Sequence, residues 1–375
     1  MEVLDAGPEM IPEWDDFVRT HPLASYGHLS AQFALADASG VRNASLVVRD
    51  GGRIAGLLPL FVAEQRSLRL VPVRELTSGA FFPAGSLISS KLQGKAEARV
   101  AEALMGAVRV RIGACNADRA RITHPTIVGG QPAIGRFGYS PLLHHGYEPR
   151  HGVGLLLDLT QTPEQLAAGR RSGCRQSVNK AQASGVIVEP LRNRAEWMAC
   201  DDINHHTMGE LAYTPQQLGA IWDNFIAPGH AVTHAVRIDG RAAAVTVTIH
   251  CNGSAYYWIG LNRRPAPLAG AGHLALWTAI LDARERGCRY FELGSLDFEN
   301  PRNIGISQFK QSFGGTPCQI ISAQLEAKPV KTAAIALGDA VLASVRERTR
   351  GRRAPTTASE GASSRRPVPH AAGVA

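Results

Sequence analysis

The stretch that decides the fold lies near the end of the chain and reads Gly305-Ile306-Ser307-Gln308-Phe309-Lys310-Gln311-Ser312-Phe313-Gly314-Gly315. A lysine directly follows an aromatic residue on a predicted short helix, which two glycines end in the usual way. An ammonium at such a place can stabilise an oxyanion or a phosphate. A lone lysine on a helix is normally solvent-exposed, however, so the role of Lys310 depends on the rest of the chain.

The composition is that of an ordinary soluble globular protein. The chain has 375 residues, of which 45% are apolar and 19% charged, and this length suits two domains better than one. The net charge is +8, but the segment from Arg348 onward holds six arginines and one glutamate, or +5, which leaves +3 (8 − 5) on residues 1–347. The high isoelectric point is therefore weak support for nucleic-acid binding by the body of the protein.

The cysteines and the apolar runs predict a cytoplasmic protein. The six cysteines form no C-x-x-C pair and the sequence does not open with a secretory leader, so we expect reduced thiols. The longest apolar runs fall short of the about 20 residues that a helix needs to cross a bilayer. The sequence also has no P-loop, no G-x-S-x-G and no zinc-ligand spacing, so we expect no metal site.

An internal repeat organises the chain. Residues 48–56 match residues 236–244 at an offset of 188, with Val, Arg, Gly, Arg and Ala in common. Each copy lies between two β-branched, apolar runs, which predicts two β-hairpins with a glycine in the turn. Either the match is a coincidence of common hairpin residues, or it marks two related domains.

The order of predicted elements indicates an α/β (or α+β) fold with mixed sheets flanked by helices. An irregular stretch at 144–152 suggests a boundary between a domain at 1–150 and a second at 151–328. Residues 329–350 have the apolar spacing of an amphipathic helix. Residues 351–375, rich in Ala, Pro, Ser and Arg, are expected to form a disordered basic tail.

Two stretches of the second half are candidates for anion binding. A predicted helix at 163–184 carries Arg171, Arg175 and Lys180, whose charges suit a phosphate; the alternative is a solvated helix face. Gly270-Ala271-Gly272-His273 opens a helix after a predicted strand, so its backbone N–H groups can hold a pyrophosphate. The alternative there is a plain helix start.

Two adjacent tyrosines also qualify. Tyr256 and Tyr257 lie on one predicted strand and must face opposite sides of the sheet. Either hydroxyl is placed to line a cleft, and core packing is the other interpretation.

Taken together, the order of these motifs resembles the FemAB-like branch of the GNAT acyltransferase superfamily, with its FemX-type peptidyl and aminoacyl transferases. The resemblance runs from residue 153 to residue 322. It rests on the basic stretch with Lys180-Ala181, Tyr257 in a strand, Gly272-x4-Trp277, Tyr290-Phe-Glu-Leu-Gly294 and the closing Phe309-Lys310-x-x-Phe313-Gly314. Pro267 stands where the acyl-CoA loop of GNAT enzymes has Gln or Arg.

The resemblance implies two tandem GNAT-like domains with a cleft between them, and transfer of an acyl group to an amine. In well-studied relatives the donor is an aminoacyl-tRNA and the acceptor a peptidoglycan precursor, whereas other members belong to exopolysaccharide or specialised-metabolite pathways. Lys310 would be catalytic and would meet the reacting carbonyl. The donor would be held by Phe309, Gly270, Gly272 and His273, and acceptor or donor phosphate by Arg171, Arg175, Lys180 and Tyr257.

We therefore expect an N-acyltransferase that passes an acyl group, aminoacyl from tRNA, directly to an amine. The donor acts as a cosubstrate, and the expected partners are a small-molecule or cell-wall precursor and tRNA. One alternative is an acyl-CoA-dependent GNAT N-acetyltransferase. The other is a non-catalytic binding module of envelope assembly that keeps the fold without the chemistry.

Overall fold

A computed structural model describes residues 1–67, 71–133, 141–263, 265–335 and 337–338. The helices are α1 (Ile11–Thr20), α2 (Ala31–Ala38), α3 (Lys95–Ala114), α4 (Pro163–Gly169), α5 (Ser172–Ala183), α6 (Arg194–Met198), α7 (Asp201–Met208), α8 (Pro215–Ile221), α9 (Ala271–Glu285) and α10 (Pro301–Gln311). Short 3₁₀ turns occur at Pro8–Met10, Tyr26–His28, Pro141–His145 and Gly209–Leu211, and a π-helical turn at Trp222–Ile226.

The strands are β1 (Glu2–Asp5), β2 (Arg42–Asn43), β3 (Leu46–Asp50), β4 (Arg53–Leu58), β5 (Phe61–Ser67), β6 (Val71–Thr77), β7 (Leu87–Ile88), β8 (Arg119–Thr123), β9 (Ile127–Val128), β10 (Gln131–Pro132), β11 (Glu148–Asp158), β12 (Val188–Glu189), β13 (Ala231–Ile238), β14 (Arg241–Cys251), β15 (Ser254–Asn262), β16 (Tyr290–Leu296) and β17 (Thr316–Glu326).

One mixed sheet runs through both halves of the chain. Its strand order is β12-β13-β14-β15-β16-β11-β17-β8-β6-β5-β2, with parallel pairs at β15–β16 and β6–β8. β17, from the second half, pairs with β11 on one side and β8 on the other. The two halves are therefore joined by backbone hydrogen bonds as well as by side chains. The division at residue 150 remains a prediction.

The core of the first half surrounds α3. Its apolar residues recur every four positions at Val100, Leu104 and Val108, as expected for one buried helix face. They share one cluster with β3 and β4, which belong to a second, four-stranded sheet of order β1-β3-β4-β7, and with β8 of the main sheet.

The second half covers the main sheet on both faces. On one face, α5 and α9 pack on residues such as Phe291 and Leu293. On the other, the helices around Trp197 pack on Val247 and Ile259, and the same cluster takes in Tyr26, Leu35 and Phe82 of the first half. The first half thus completes the core of the second, at the face where the site described below lies.

Both predicted hairpins are confirmed. β3–β4 turns at Gly51-Gly52 and β13–β14 at Asp239-Gly240, and all four turn residues have positive φ. Each hairpin also has a register shift, between Val48 and Arg49 in one and between Val236 and Arg237 in the other. These shifts are separated by the same offset of 188, so the two copies match in local geometry as well as in sequence.

Three predictions of secondary structure need revision or lie outside the described chain. The single helix at 163–184 is wrong, because Arg170 and Arg171 have extended backbones that separate α4 from α5. The stretch at 144–152 is not irregular throughout, since β11 begins at Glu148. Residues 329–335 and 337–338 are helical, whereas residue 336, residues 339–350 and the predicted tail at 351–375 lie outside the described residues. Within the described ranges, no helix combines the length and apolarity needed to cross a membrane.

Candidate active site

Lys310 lies in the last turn of α10, and the end of that helix is fixed by close packing. Gly314 and Gly315 follow with φ of 86° and 96°, a region that favours glycine. A Cβ on Gly314 would lie 2.7 Å from the carbonyl oxygen of Gly169 in α4. Phe313 is fully buried beside them. The glycines thus end α10 and also let it approach α4.

The ammonium of Lys310 points at the backbone of β16. Its Nζ donates a hydrogen bond to the carbonyl of Ser295 at 2.9 Å. Gly294 has a φ of 77°, and a Cβ there would lie 3.3 Å from Lys310 Nζ and 3.4 Å from Tyr256 Oη. Glycine at this position therefore leaves room for the amine and the phenol, which both approach the space that a Cβ would fill.

The pairing between β15 and β16 ends close to Lys310 and Tyr256. β15 and β16 pair in parallel at three positions, the last of which is Tyr256 with Glu292. β16 then has one extra residue relative to β11, a bulge that includes Gly294. Lys310 and Tyr256 thus lie where the ladder between two central strands ends, a place where backbone groups are free to meet a ligand.

A buried carboxylate links this point to the first half of the chain. Glu292 is 3% exposed. It accepts a hydrogen bond from Tyr26 Oη at 2.7 Å and another from Thr126 Oγ1 at 2.5 Å. The ring of Tyr26 stacks on that of Tyr256, with centroids 4.7 Å apart and an interplanar angle of 18°. We call Tyr26, Thr126, Tyr256, Glu292 and Lys310 the junction cluster.

The electrostatics of the junction cluster follow from burial. Desolvation lowers the pKa of Lys310 to about 8, against the opposing pull of the Glu292 charge. Desolvation also raises the pKa of Glu292, while the Thr126 and Tyr26 hydrogen bonds and the charge of Lys310 act in the opposite direction. Burial raises the pKa of Tyr256, which keeps its phenol protonated near neutral pH.

Two of the residues predicted to hold the donor, Phe309 and His273, form an aromatic group with Phe313 next to Lys310. The His273 ring lies 4.8 Å from that of Phe309 and 5.7 Å from that of Phe313, and the two phenylalanine rings are 5.2 Å apart. Burial lowers the pKa of His273, so this imidazole is mostly neutral at neutral pH. The structure brings Phe309 and His273 together on facing helices.

Gly270 and Gly272 have a packing explanation of their own. Gly270 caps α9 with a φ of 89°, and a Cβ there would collide with the carbonyl oxygen of Ser177 in α5. A Cβ on Gly272 would meet the side-chain amide of Asn262. The N–H groups of the first turn of α9 lack intrahelical partners, as at any helix start. This feature alone does not identify a donor site, so donor binding there remains a proposal.

The predicted basic residues are spread over two elements. Arg171 is the N-cap of α5; its N–H donates to Ser312 at 2.9 Å and its Nη2 to Gln311 at 3.4 Å. Arg175 Nη1 donates to the carbonyls of Arg170 at 2.5 Å and Ala168 at 3.1 Å. Arg171 therefore contacts the end of α10, at the two residues that follow Lys310. Part of the Arg175 guanidinium instead bonds the carbonyls at the end of α4.

Lys180 and Tyr257 lie apart from the junction cluster. Lys180 is exposed in the last turn of α5. Tyr257 packs against the core under α5 and α9, on the face opposite Tyr256, and burial raises its pKa. The structure thus places Tyr256, not Tyr257, beside the ammonium.

Three members of the junction cluster were not among the residues selected from the sequence. Glu292 had a signal, since a carboxylate inside the apolar run Tyr290-Phe-Glu-Leu is unusual for a buried strand. Tyr26 and Thr126 had none, because they meet Glu292 across 266 and 166 residues of chain.

Known proteins resemble this chain in one sequence region and over the whole fold. Residues 168–311 match the acetyltransferase (GNAT) domain family. The crystal structure of FemX superposes with a TM-score of 0.63 at 14% identity, covering 89% of this chain and 100% of FemX. No curated protein is significantly similar in sequence.

Two further structures share the fold. One is the C-terminal domain of a protein assigned as a lysylphosphatidylglycerol synthetase from Agrobacterium fabrum, with a TM-score of 0.54 and 17% identity, covering 89% of this chain and 96% of that one. The other is L-PGS from Bacillus licheniformis, with a TM-score of 0.54 and 13% identity at the same coverage. These similarities confirm the mixed α/β fold, and the match of residues 168–311 to the GNAT domain family agrees with the resemblance found in the sequence.

Proposed function

We propose that this chain transfers an aminoacyl group from tRNA to an amine of a small-molecule or cell-wall precursor, because residues 168–311 match the acetyltransferase (GNAT) domain family and the fold is similar to that of FemX. The donor is thus a cosubstrate, and tRNA and the precursor are the partners. The FemX-like fold over 89% of the chain supports this choice, and no covalent enzyme intermediate is needed for it. The acceptor belongs to envelope, exopolysaccharide or specialised-metabolite synthesis.

The observation that carries the proposal is the position of Lys310. Its ammonium lies at the junction of the two halves, beside Gly294 and Tyr256, and interacts electrostatically with the buried Glu292. A positive charge in a site of reduced polarity stabilises a developing oxyanion far more than it would in water. The phenol of Tyr256, which lies near the same face of Gly294, supplies a second donor.

The chemistry runs in one sequence of bond changes. The acceptor nitrogen attacks the ester carbonyl of the donor, and the carbonyl oxygen takes up the negative charge beside Lys310. The tetrahedral species collapses as the bond from carbon to the tRNA oxygen breaks, and an amide forms. The proton lost by the amine goes to the departing oxygen, directly or through water, since both oxygens of Glu292 already accept hydrogen bonds in a buried position.

A GNAT acetyltransferase that uses acetyl-CoA is the second candidate, favoured by the family match over residues 168–311. Transfer assays with charged tRNA and with acetyl-CoA, each with a panel of amine acceptors, separate the two. Turnover with charged tRNA alone supports the first proposal and turnover with acetyl-CoA alone replaces it. If neither donor reacts but one of them raises the melting temperature, the chain is a binding module.

We expect the transfer rate to depend on pH through Lys310. Its ammonium is present below about pH 8 and lost above it, so kcat/KM falls as the pH rises through that value. Lys310→Arg keeps a positive charge at every accessible pH, and its residual activity should lack the alkaline fall. The ratio of wild-type to variant kcat/KM across the pH range removes the titration of the acceptor amine, and a flat ratio would contradict this role.

A further inference from the structure

Two ionisable groups of the junction cluster, Glu292 and Lys310, have charges that depend on each other. We propose that Glu292 is a positioning residue that keeps Lys310 in its ammonium form, acting through space from a place where the first half of the chain holds its carboxylate. The inference rests on the acyl transfer proposed above, because that reaction requires the charged amine.

Burial raises the pKa of Glu292, and its two hydrogen bonds act in the opposite direction by favouring the ionised form. Tyr26 Oη and Thr126 Oγ1 each donate to a different carboxylate oxygen. A carboxylate that accepts two hydrogen bonds is stabilised in its charged form, which counters the cost of its burial. Both donors come from the first half of the chain, so the charge of Glu292 depends on contact between the halves.

Glu292 acts on Lys310 through its charge and leaves the hydrogen-bond donors of the ammonium to other groups. Lys310 Nζ donates to the Ser295 carbonyl, and the carboxylate oxygens are taken by the two hydroxyls. An ammonium has three donors, so two remain for a substrate. A carboxylate bound directly to the amine would instead compete with the oxyanion for those donors.

The other titratable groups around the pair are neutral. They are Tyr26 in the turn after α1, Tyr256 on β15 and Cys318 on β17, each of which interacts electrostatically with Glu292. Burial raises the pKa of all three, that of Cys318 to about 12. Cys251, at the end of β14, faces Tyr26 and has its pKa raised to about 12 by burial. Glu292 is therefore the counter-charge for Lys310 among these groups.

The test measures the titration of Lys310 without using activity. The full-length protein is labelled briefly with trace acetic anhydride over a range of pH, and the extent of modification at Lys310 is read by peptide mass spectrometry. In Glu292→Gln the midpoint should move to lower pH by about one unit, as expected when an opposite charge nearby is removed. Tyr26→Phe removes one hydrogen bond to the Glu292 carboxylate, which makes its charged form less favourable. This variant should shift the Lys310 midpoint in the same direction, by less.

Glu75→Gln is the matched control. Glu75 is also buried in the main sheet, but it pairs with Arg119 and Arg121, so the Lys310 midpoint should not move. An unchanged midpoint in Glu292→Gln overturns the inference, and if that variant does not fold, an unchanged midpoint in Tyr26→Phe does so. Absence of acyl transfer by the wild type would contradict the proposed function, but it would not change the Lys310 midpoints measured by labelling.

Discussion

Replacing Lys310 with alanine should lower kcat/KM for acyl transfer by about 10²–10³, with most of the loss in kcat. The removed ammonium would otherwise face the carbonyl oxygen as it becomes an oxyanion, and losing one such donor typically costs about 2.7–4 kcal/mol of transition-state stabilisation. Because the ground-state carbonyl carries little charge, the donor's KM should change less. Steady-state kinetics with the donor found in the transfer assay measure both.

A second Lys310 variant tests the role of the charge, and a variant of a distant lysine serves as the control. Lys310→Met keeps a long unbranched side chain without the charge and should lose nearly as much activity as the alanine variant. Lys91→Ala removes an exposed lysine of the first half and should leave kcat/KM unchanged. Full activity in both Lys310 variants would remove this side chain from the mechanism.

Local features of this fold were predictable because their causes are local. The turns at Gly51-Gly52 and Asp239-Gly240 require positive φ, and such residues between β-branched runs predict hairpins. The helix that carries Lys310 is bounded by Pro301 at its start and by Gly314 after its end, which are ordinary helix signals. In each case a few adjacent residues determine the backbone.

The break between α4 and α5 shows where such signals compete. The stretch at 163–184 starts with Pro163 after a Thr162 cap and contains no later proline, which favoured one helix. In the structure Arg170 instead stacks its guanidinium over Trp277, 3.9 Å from the ring centroid, and is largely buried. Contact with a residue about a hundred positions away sets the backbone there, so tertiary packing overrides local preference.

The junction cluster could not be predicted from the sequence, because its members also come together through contacts between distant parts of the chain. Its members come from a 3₁₀ turn, a loop after β8, two central strands and α10, and pairing of β17 with both β11 and β8 brings these together. Periodicity assigns a residue to a face but does not say which distant element covers that face. The sequence therefore indicated Lys310 and offered Tyr256 as one of two tyrosines, but not the carboxylate and hydroxyls that set their charges.

Gly270→Ala should be among the most destabilising single substitutions in the second half. With a φ of 89°, alanine at this position costs about 1–2 kcal/mol. Its Cβ would also collide with the carbonyl of Ser177, and forced overpacking adds about 1–3 kcal/mol. Because Ser177 belongs to α5 and Gly270 caps α9, the clash separates two helices of the same core, and the melting temperature should fall markedly.

Gly287→Ala provides the comparison at the other end of α9. Gly287 has a similar φ of 81°, but a Cβ there would meet nothing within 4 Å, so this variant suffers the backbone cost alone. The melting temperature of Gly270→Ala should therefore lie clearly below that of Gly287→Ala. Equal melting temperatures together with a raised donor KM only in Gly270→Ala would mean that this glycine serves the donor's phosphates, because an unclashed Cβ would then obstruct the ligand and not the neighbouring helix.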